Sequence, residues 1–330
     1  MKRKYLYTAL ITTIVVAVFT ACRKEGTIPH MSMITNVSGE VTLFLNGSGD
    51  AIIQWGDGTA DETYTFLGYW SPTQGREFTG CECKHTYSDA GPHRIIIIGK
   101  NITTLYCRFL QLTSLDVSKN PVLLKLVCSN NQLTSLDVSR NLALLMINCE
   151  GNQLTSLDVS RNLALSLISC EGNQLTNLDV SENKALFHLS CADNQLTILD
   201  VSETDLETLK CDNNQLTILN VSGNSLLLSL FCNNNQLTNL DISTNTQLGT
   251  LICNNNQLTS LDVSNPVLAR LDCSTNNLSI NALNDLFVSL PITSFGTIFI
   301  DNNPGTDACE RSIATDKGWN VLLPQHTDSM

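Results

Sequence analysis

The chain has 330 residues, long enough for two or three ordinary domains, yet only 15% of them are charged and 13 are cysteine. A formal charge of −12 argues against a nucleic-acid binder, which needs a basic face for phosphate, and a chain with 50 leucines, most of them regularly placed, is not disordered. Residues 101 to 290 hold 43 of those leucines and 29 of the 34 asparagines, so one long region carries the compositional bias.

The N-terminus opens with the basic run Lys2-Arg3-Lys4, then an apolar stretch from Tyr5 to Phe19, then Thr20-Ala21-Cys22. That order is the three-part pattern of a secretory signal. The ending Phe-Thr-Ala-Cys resembles a bacterial lipobox. The resemblance implies removal of residues 1–21, acylation of Cys22 with palmitate-type chains, and residues 22–30 as a tether. It also implies an exported protein held on the outer membrane or cell surface of a Gram-negative bacterium. Buried acyl carbons contribute roughly 0.8 kcal/mol each, so several chains give a durable anchor. Later apolar runs such as Ile95–Ile98 are far shorter than the roughly 20 residues that a membrane span needs.

Residues 31–100 alternate apolar and polar positions, as at Val41, Leu43 and Leu45, between Gly, Asp and Pro signals. This predicts a small β-sandwich. The string Trp55-Gly56-Asp57-Gly58-Thr59, followed by Lys84-His85-Thr86-Tyr87 and a β-branched strand, resembles the PKD-like immunoglobulin-type domain. Pro92 and His93 depart from it, standing where that family carries a small residue and an aromatic one. Asp57, Asp61 and His85 invite a metal or catalytic reading, but glycines bracket Asp57 as a turn requires, and the structural reading is preferred. Cys81 and Cys83, one residue apart, are poorly spaced for a mutual disulfide and lack further zinc ligands. Cys309 is one alternative partner.

From Gln111 the phrase Gln-Leu-Thr-x-Leu-Asp/Asn-Val/Ile-Ser recurs at Gln132, Gln153, Gln174, Gln195, Gln215, Gln236 and Gln257, in steps of 21 residues with one of 20. Such a period means that each copy is one turn of a solenoid. The pattern Leu123-x-x-Leu126-x-Cys128-x-x-Asn131-x-Leu133, nearly repeated ten residues on, resembles the nested 21-residue leucine-rich-repeat class sometimes called IRREKO. The predicted fold is mainly β: a leucine-rich-repeat solenoid over 101–277 behind the sandwich, with an α/β cap over 278–330. Each turn has a strand of a continuous parallel sheet and, opposite, a Leu-Asp-Val stretch that forms a second sheet or ribbon.

Columns then follow from the period. Asn131, Asn152, Asn173, Asn194, Asn214, Asn235, Asn256 and Asn276 line one corner, where an inward amide can satisfy turning backbone. A second column runs Asn120, Asn141, Asn162, Asn183, Asn224 and Asn245, broken by Thr204 and Pro266. Nine cysteines, from Cys107 to Cys273, share one inward position. Compact buried thiols are preferred there over disulfides between turns, which an odd number disfavours, and over a metal column, since a straight line of sulfurs cannot surround a tetrahedral ion. Asp116, Asp137, Asp158, Asp179, Asp200, Asp241 and Asp262, with Asn220, form an outward solvated ridge with too few converging oxygens for calcium.

Ligands of solenoids lie across outward sheet positions. The variable outward residues Tyr106, Met146, Leu167, His188, Lys210, Phe231, Ile252 and Arg270 are therefore the candidate ligand-binding set, with Phe231 and Ile252 read as an exposed apolar pair. After Asn277, the sequence predicts a helix over 279–290, a strand over 297–300 and a helix over 307–316. No nucleophile elbow, metal-ligand motif or phosphate loop is present, and His30, His85, His93, His188 and His326 are scattered. The expected protein is a non-enzymatic, monomeric surface module without cofactor or metal, binding a protein or glycan through the solenoid, with the first module as a stalk. A purely structural spacer is the alternative.

Overall fold

The computed structural model describes residues 29–66, 69–71, 76–78 and 80–322, so the signal segment, Cys22 and His326 lie outside the described residues. The chain divides into two compact units, residues 1–178 with 182–185, and residues 179–181 with 186–330.

The first unit begins with β1 (His30–Thr35), β2 (Gly39–Gly47), β3 (Asp50–Gln54), β4 (Glu62–Thr65), β5 (Tyr69–Ser71), β6 (Arg76–Phe78), β7 (Gly80–Tyr87) and β8 (His93–Ile98). One antiparallel layer places β1 beside β8, β8 beside β3 and β3 beside β4. The other pairs β2 with β7, while β5 and β6 form a separate ribbon. Alternation decides which side chains face inward. Met31, Met33, Ala51, Ile53, Ile95 and Ile97 from the first layer and Val41, Leu43, Leu45, Cys83 and Tyr87 from the second are all buried. Gly56, at φ +82°, permits the turn after Trp55, where any Cβ would collide with the Arg94 carbonyl.

Next come β9 (Ile102–Tyr106) and β10 (Leu112–Lys119), the two stretches of the first repeat turn. Each joins a layer of the sandwich: Leu105 stands opposite Leu45 of β2, and Leu115 opposite Met33 of β1. The sandwich is thus fused to the repeats through both sheets and covers their first turn. It is not a stalk strung ahead of them. Parallel strands β11 (Lys125–Val127), β12 (Met146–Asn148) and β13 (Leu167–Ser169) follow at a register of 21 residues, with Leu126, Ile147 and Ile168 pointing inward.

The second unit repeats the same turn. Its main parallel sheet contains β14 (His188–Ser190), β16 (Thr208–Lys210), β18 (Ser229–Phe231), β19 (Thr250–Ile252) and β20 (Arg270–Asp272). The expected second sheet is much smaller than the sequence pattern implied. Among the described repeats after the first turn, only β15 (Ile198–Asp200) and β17 (Ile218–Asn220) pair on that side. Those two turns carry Ile198 and Ile218, where other turns have Ser135, Ser156, Asn177, Asn239 or Ser260. Serine and asparagine lack the branched carbon that favours a pleated surface. Elsewhere a single bond, such as Gln153 N–H to Leu133 O at 2.9 Å, links neighbouring turns there.

The cap comprises α1 (Ile280–Ser289), β21 (Gly296–Phe299), α2 (Ser312–Thr315) and β22 (Trp319–Leu322). Ser279 caps α1, accepting from Ala282 N–H at 3.2 Å, and Leu283, Leu286 and Phe287 form its buried stripe. Lys317 Nζ donates to the Val288 carbonyl and, at 2.8 Å, to that of Leu290, closing the helix end. The helix expected over 307–316 shrinks to α2. Residues 305–309 instead make a turn in which Cys309 N–H donates to Gly305 O at 3.0 Å and Cys309 Sγ to Thr306 O at 3.3 Å. Cys309 is therefore a free thiol and not a disulfide partner. Strand β22, absent from the sequence-based expectation, pairs in parallel with β21.

Candidate binding face

What holds the sheet in shape is the first asparagine corner. Asn152 Oδ1 accepts from Leu133 N–H at 3.0 Å, and its Nδ2 donates to the carbonyls of Cys128 at 3.0 Å and Cys149 at 2.9 Å. Asn173 and Asn256 repeat that set. The column extends past the repeats, since Asn303 accepts from Leu278 N–H and donates to Cys273 O. In the first turn, where Leu110 stands in the column, Asn131 reaches back to Leu110 and Leu112 N–H. The residue before each asparagine sits at positive φ, at 57° for Asn130, 64° for Gly151 and 54° for Asn213. Asn, Gly and Asp suit that conformation, whereas Phe109 at 58° and Thr275 at 50° are held in it by the repeated turn.

The cysteine column packs beneath the sheet as free, buried thiols. Burial pushes Cys149 and Cys232 up to about 12 and likewise raises Cys128, Cys211 and Cys253 well above the ordinary thiol value. These thiols are neutral and unreactive at neutral pH.

The aspartate ridge has a local function. Oδ1 of Asp137, Asp158, Asp200 and Asp241 accepts from the N–H of the serine two residues on, at 2.9 to 3.0 Å, and Asn220 does the same at 3.2 Å. Each is an Asx turn that fixes the chain as it leaves the Leu-Asp-Val stretch. Hydrogen bonds from the serine hold the carboxyls of Asp137, Asp158 and Asp241 below the usual range.

Outward positions of the sheet in the first unit bring Lys125, Met146 and Leu167 into one row and Tyr106, Val127, Asn148 and Ser169 into the next. Tyr106 meets Phe44 of β2 edge to face at 5.6 Å, so this face continues onto the sandwich. Phe44 was legible as the outward neighbour of Leu43 and Leu45. In the second unit one row runs His188, Thr208, Ser229, Thr250, Arg270 and Thr297, the other Ser190, Lys210, Phe231, Ile252, Asp272 and Phe299. The eight candidates accordingly fall as three in one unit and five in the other.

Two expectations change. Phe231 and Ile252 are half-buried, because side chains of adjacent strands about 4.8 Å away flank them. Val127 and Ser190 are buried outright. Lys210 Nζ lies 5.9 Å from the Phe231 ring centroid, and Arg270 Cζ lies 5.7 Å from that of Phe299. Both cations cover aromatic faces. Burial, with the Lys210 charge beside it, lowers the pKa of His188 and favours neutral imidazole. The exposed apolar pair is on the opposite stretch: Ile198 and Ile218, at 52% and 55% exposure, side by side.

The Asp57–His85 set is structural in character. His85 Nε2 lies 2.7 Å from Asp57 Oδ2, its ring stacks on Trp55 at 4.8 Å, and Asp57 Oδ1 accepts from Thr59 N–H and Oγ1. Asp61 takes a bond from Gln54 instead. Tyr87 donates to Trp55 O at 2.7 Å and stacks on His93 at 3.9 Å, so the imidazole serves where an aromatic was missed.

No protein-family model and no curated protein matches the chain. Among solved structures, the chain is 36% identical to the functional domain of InlJ from Listeria monocytogenes, which includes a cysteine ladder. The match covers 65% of this chain and 47% of that one, with a TM-score of 0.57. It is also similar to YopM, a leucine-rich effector protein from Yersinia pestis, at 25% identity over 61% of this chain and 55% of that one, TM-score 0.49. A third similarity is to the LRIM1/APL1C complex, at 22% identity over 61% of this chain and 44% of that one, TM-score 0.50. The chain spans about half the length of these proteins. Turn geometry, the buried leucine, cysteine and asparagine columns, and the InlJ likeness together establish a mainly β, leucine-rich-repeat solenoid fold.

Proposed function

We propose that the protein is a non-enzymatic binding module displayed on a bacterial surface, using the outward face of its solenoid sheet to hold a protein partner. The observation that carries this reading is the contrast between two sets of positions on the same strands. Inward residues repeat almost unchanged, while the outward rows vary through Tyr, Lys, Met, His, Phe, Ile and Arg. A rigid backbone with variable side chains at fixed spacing is what specific recognition requires. In this reading Tyr106, Met146 and Leu167 serve one part of the face and His188, Lys210, Phe231, Ile252 and Arg270 another, with Phe299 added. Residues 31–100 are a PKD-like module that covers the first turn, and acylated Cys22 tethers the monomer to the outer membrane of a Gram-negative cell.

A binding screen of residues 23–330 against extracellular proteins and glycans tests the proposal. Saturable binding to a protein is expected, weakened at least tenfold by Phe231→Asp with Ile252→Asp while the thermal transition is kept. Full affinity in that variant removes this part of the face, glycan-only binding changes the ligand class, and no saturable ligand leaves a spacer. Incorporation of labelled fatty acid, lost on Cys22→Ala, tests the anchor.

A further inference from the structure

Outside the repeats, two cysteines stand together. Cys81 and Cys83 are on the inward side of β7, opposite Leu45 and Leu43 of β2, and their Sγ atoms are 3.5 Å apart. Both are free thiols, Cys83 buried and Cys81 partly open to solvent. We propose that they form a thiol–disulfide exchange site that reacts with small solvent-borne disulfides, Cys81 attacking and Cys83 resolving.

Three physical features support the assignment. Accessibility divides the roles, because an incoming disulfide can reach Cys81 and not Cys83. The hydrogen bond between the sulfurs favours thiolate on Cys81, whose pKa it lowers, and keeps the proton on Cys83, whose pKa it raises together with burial. A nucleophile beside a protonated resolving thiol is the arrangement that exchange chemistry uses. Alternate residues of a strand are about 6.4 to 6.8 Å apart, the upper end of the Cα separation that a disulfide spans. Closing the bond pulls in β7, which among the described strands pairs with β2 alone and so has one side free to bend. The resulting disulfide is strained and readily reduced, which suits a reversible site better than a structural one.

The chemistry balances with an external disulfide as oxidant. Cys81 thiolate forms a bond to one sulfur of R–S–S–R and expels RS⁻. Cys83 then loses its proton, attacks the Cys81 sulfur and expels the second RS⁻. The protein dithiol loses two protons and two electrons, and the external disulfide becomes two thiols.

The test uses the full chain and oxidised glutathione as probe, followed by alkylation and tryptic mass mapping. Cleavage after Arg76 and Lys84 isolates a peptide holding only these two cysteines. Wild type is expected to lose two hydrogens in that peptide and to regain them with a mild thiol, while the repeat column stays reduced. Cys83→Ser should retain one glutathione on Cys81, and Cys81→Ser should leave Cys83 unmodified. Two alkylated thiols in wild type after exhaustive exposure, or glutathione on Cys83 in Cys81→Ser, overturns the proposal. Should either variant fail to fold, wild-type alkylation at pH 7 decides: Cys81 is expected to react at least tenfold faster than Cys83, and equal rates reject the division of roles.

Discussion

The two asparagine corners of each turn look alike in sequence and differ in bonding. At the first corner both ends of the amide are used: Asn152 accepts from Leu133 and donates to Cys128 and Cys149. At the second, ten residues on, Asn162 donates to Val138 O at 3.0 Å and Asn141 O at 3.0 Å, but its buried Oδ1 has no protein partner. Asn120, Asn141, Asn183, Asn224 and Asn245 share that orphaned oxygen. An amide used at both ends is harder to replace than one used at a single end. After the first turn, where Leu110 stands at the first corner, substitution and deletion accordingly fall at the second. Thr204 there donates to Val201 O at 2.7 Å within its own turn, and Asn265 bonds to Ile242 and Asn245 carbonyls from a turn one residue shorter. The first corner borders the sheet that presents the candidate face, so the less replaceable bonding lies where position matters.

The largest expected effect comes from alkali, which within each repeat turn titrates the thiol beneath the sheet and leaves the second corner untouched. Burial raises the folded pKa of Cys107, Cys128, Cys149, Cys211, Cys232, Cys253 and Cys273 above the unfolded value near 8.5, so their contribution is complete below that pH and declines above it. The decline is about 1.4 kcal/mol per thiol for each further pH unit, until the folded pKa is reached. Thermal unfolding followed from pH 7.5 to 10 should show a steep fall in Tm, and Cys128→Ala with Cys149→Ala should make it shallower. A flat profile would mean that the thiols are not buried together. Next is the corner comparison itself. Asn152→Ala strands the buried Leu133 N–H and leaves the Cys128 and Cys149 carbonyls with one asparagine donor each, from Asn131 and Asn173, and should cost about 2 to 3 kcal/mol by denaturant unfolding. Asn162→Ala loses two donated bonds but also removes the orphaned oxygen, and should cost about 1 to 2 kcal/mol. A smaller change is expected for Asn162→Thr, which copies Thr204 and should cost at most about 1 kcal/mol, while Asn152→Thr stays near the alanine value. The smallest is Asp158→Ala, which opens one exposed Asx turn for about 0.5 kcal/mol, with Asp158→Asn restoring it. Equal losses at the two corners would break the comparison.

Much of this was legible in the sequence because a constant period assigns the same environment to every copy. The inward leucines, the cysteine column and the first asparagine corner could be placed from spacing alone. Where a turn loses a residue the fixed offset misleads: Pro266 stands at the counted position, but Asn265 fills the corner. Bonds within a turn are also invisible to a period, which is why the Asp-x-Ser Asx turns read only as a charged ridge. Strand pairing on the second side depends on one outward residue, Ile198 or Ile218 against serine or asparagine, a difference that the consensus averages away. The candidate residues do stand on outward strand positions, but Phe231 and Ile252 are less exposed than the period implied. Half-burial of Phe231 arises from its neighbours, among them Lys210 on the preceding strand.

Native-state hydrogen exchange reads both corners in the same turns and tests their inequality most directly. The amides of Cys149, bonded to Ser169 O at 2.9 Å, and of Leu154, bonded to Asn173 Oδ1 at 3.0 Å, should exchange slowest, through global opening. Those of Asn162 and Leu165, bonded only within their own turn to Val159 O and Asn162 O, should exchange faster through local opening. Equal protection at the two corners, or slower exchange at Asn162 and Leu165, would contradict the account.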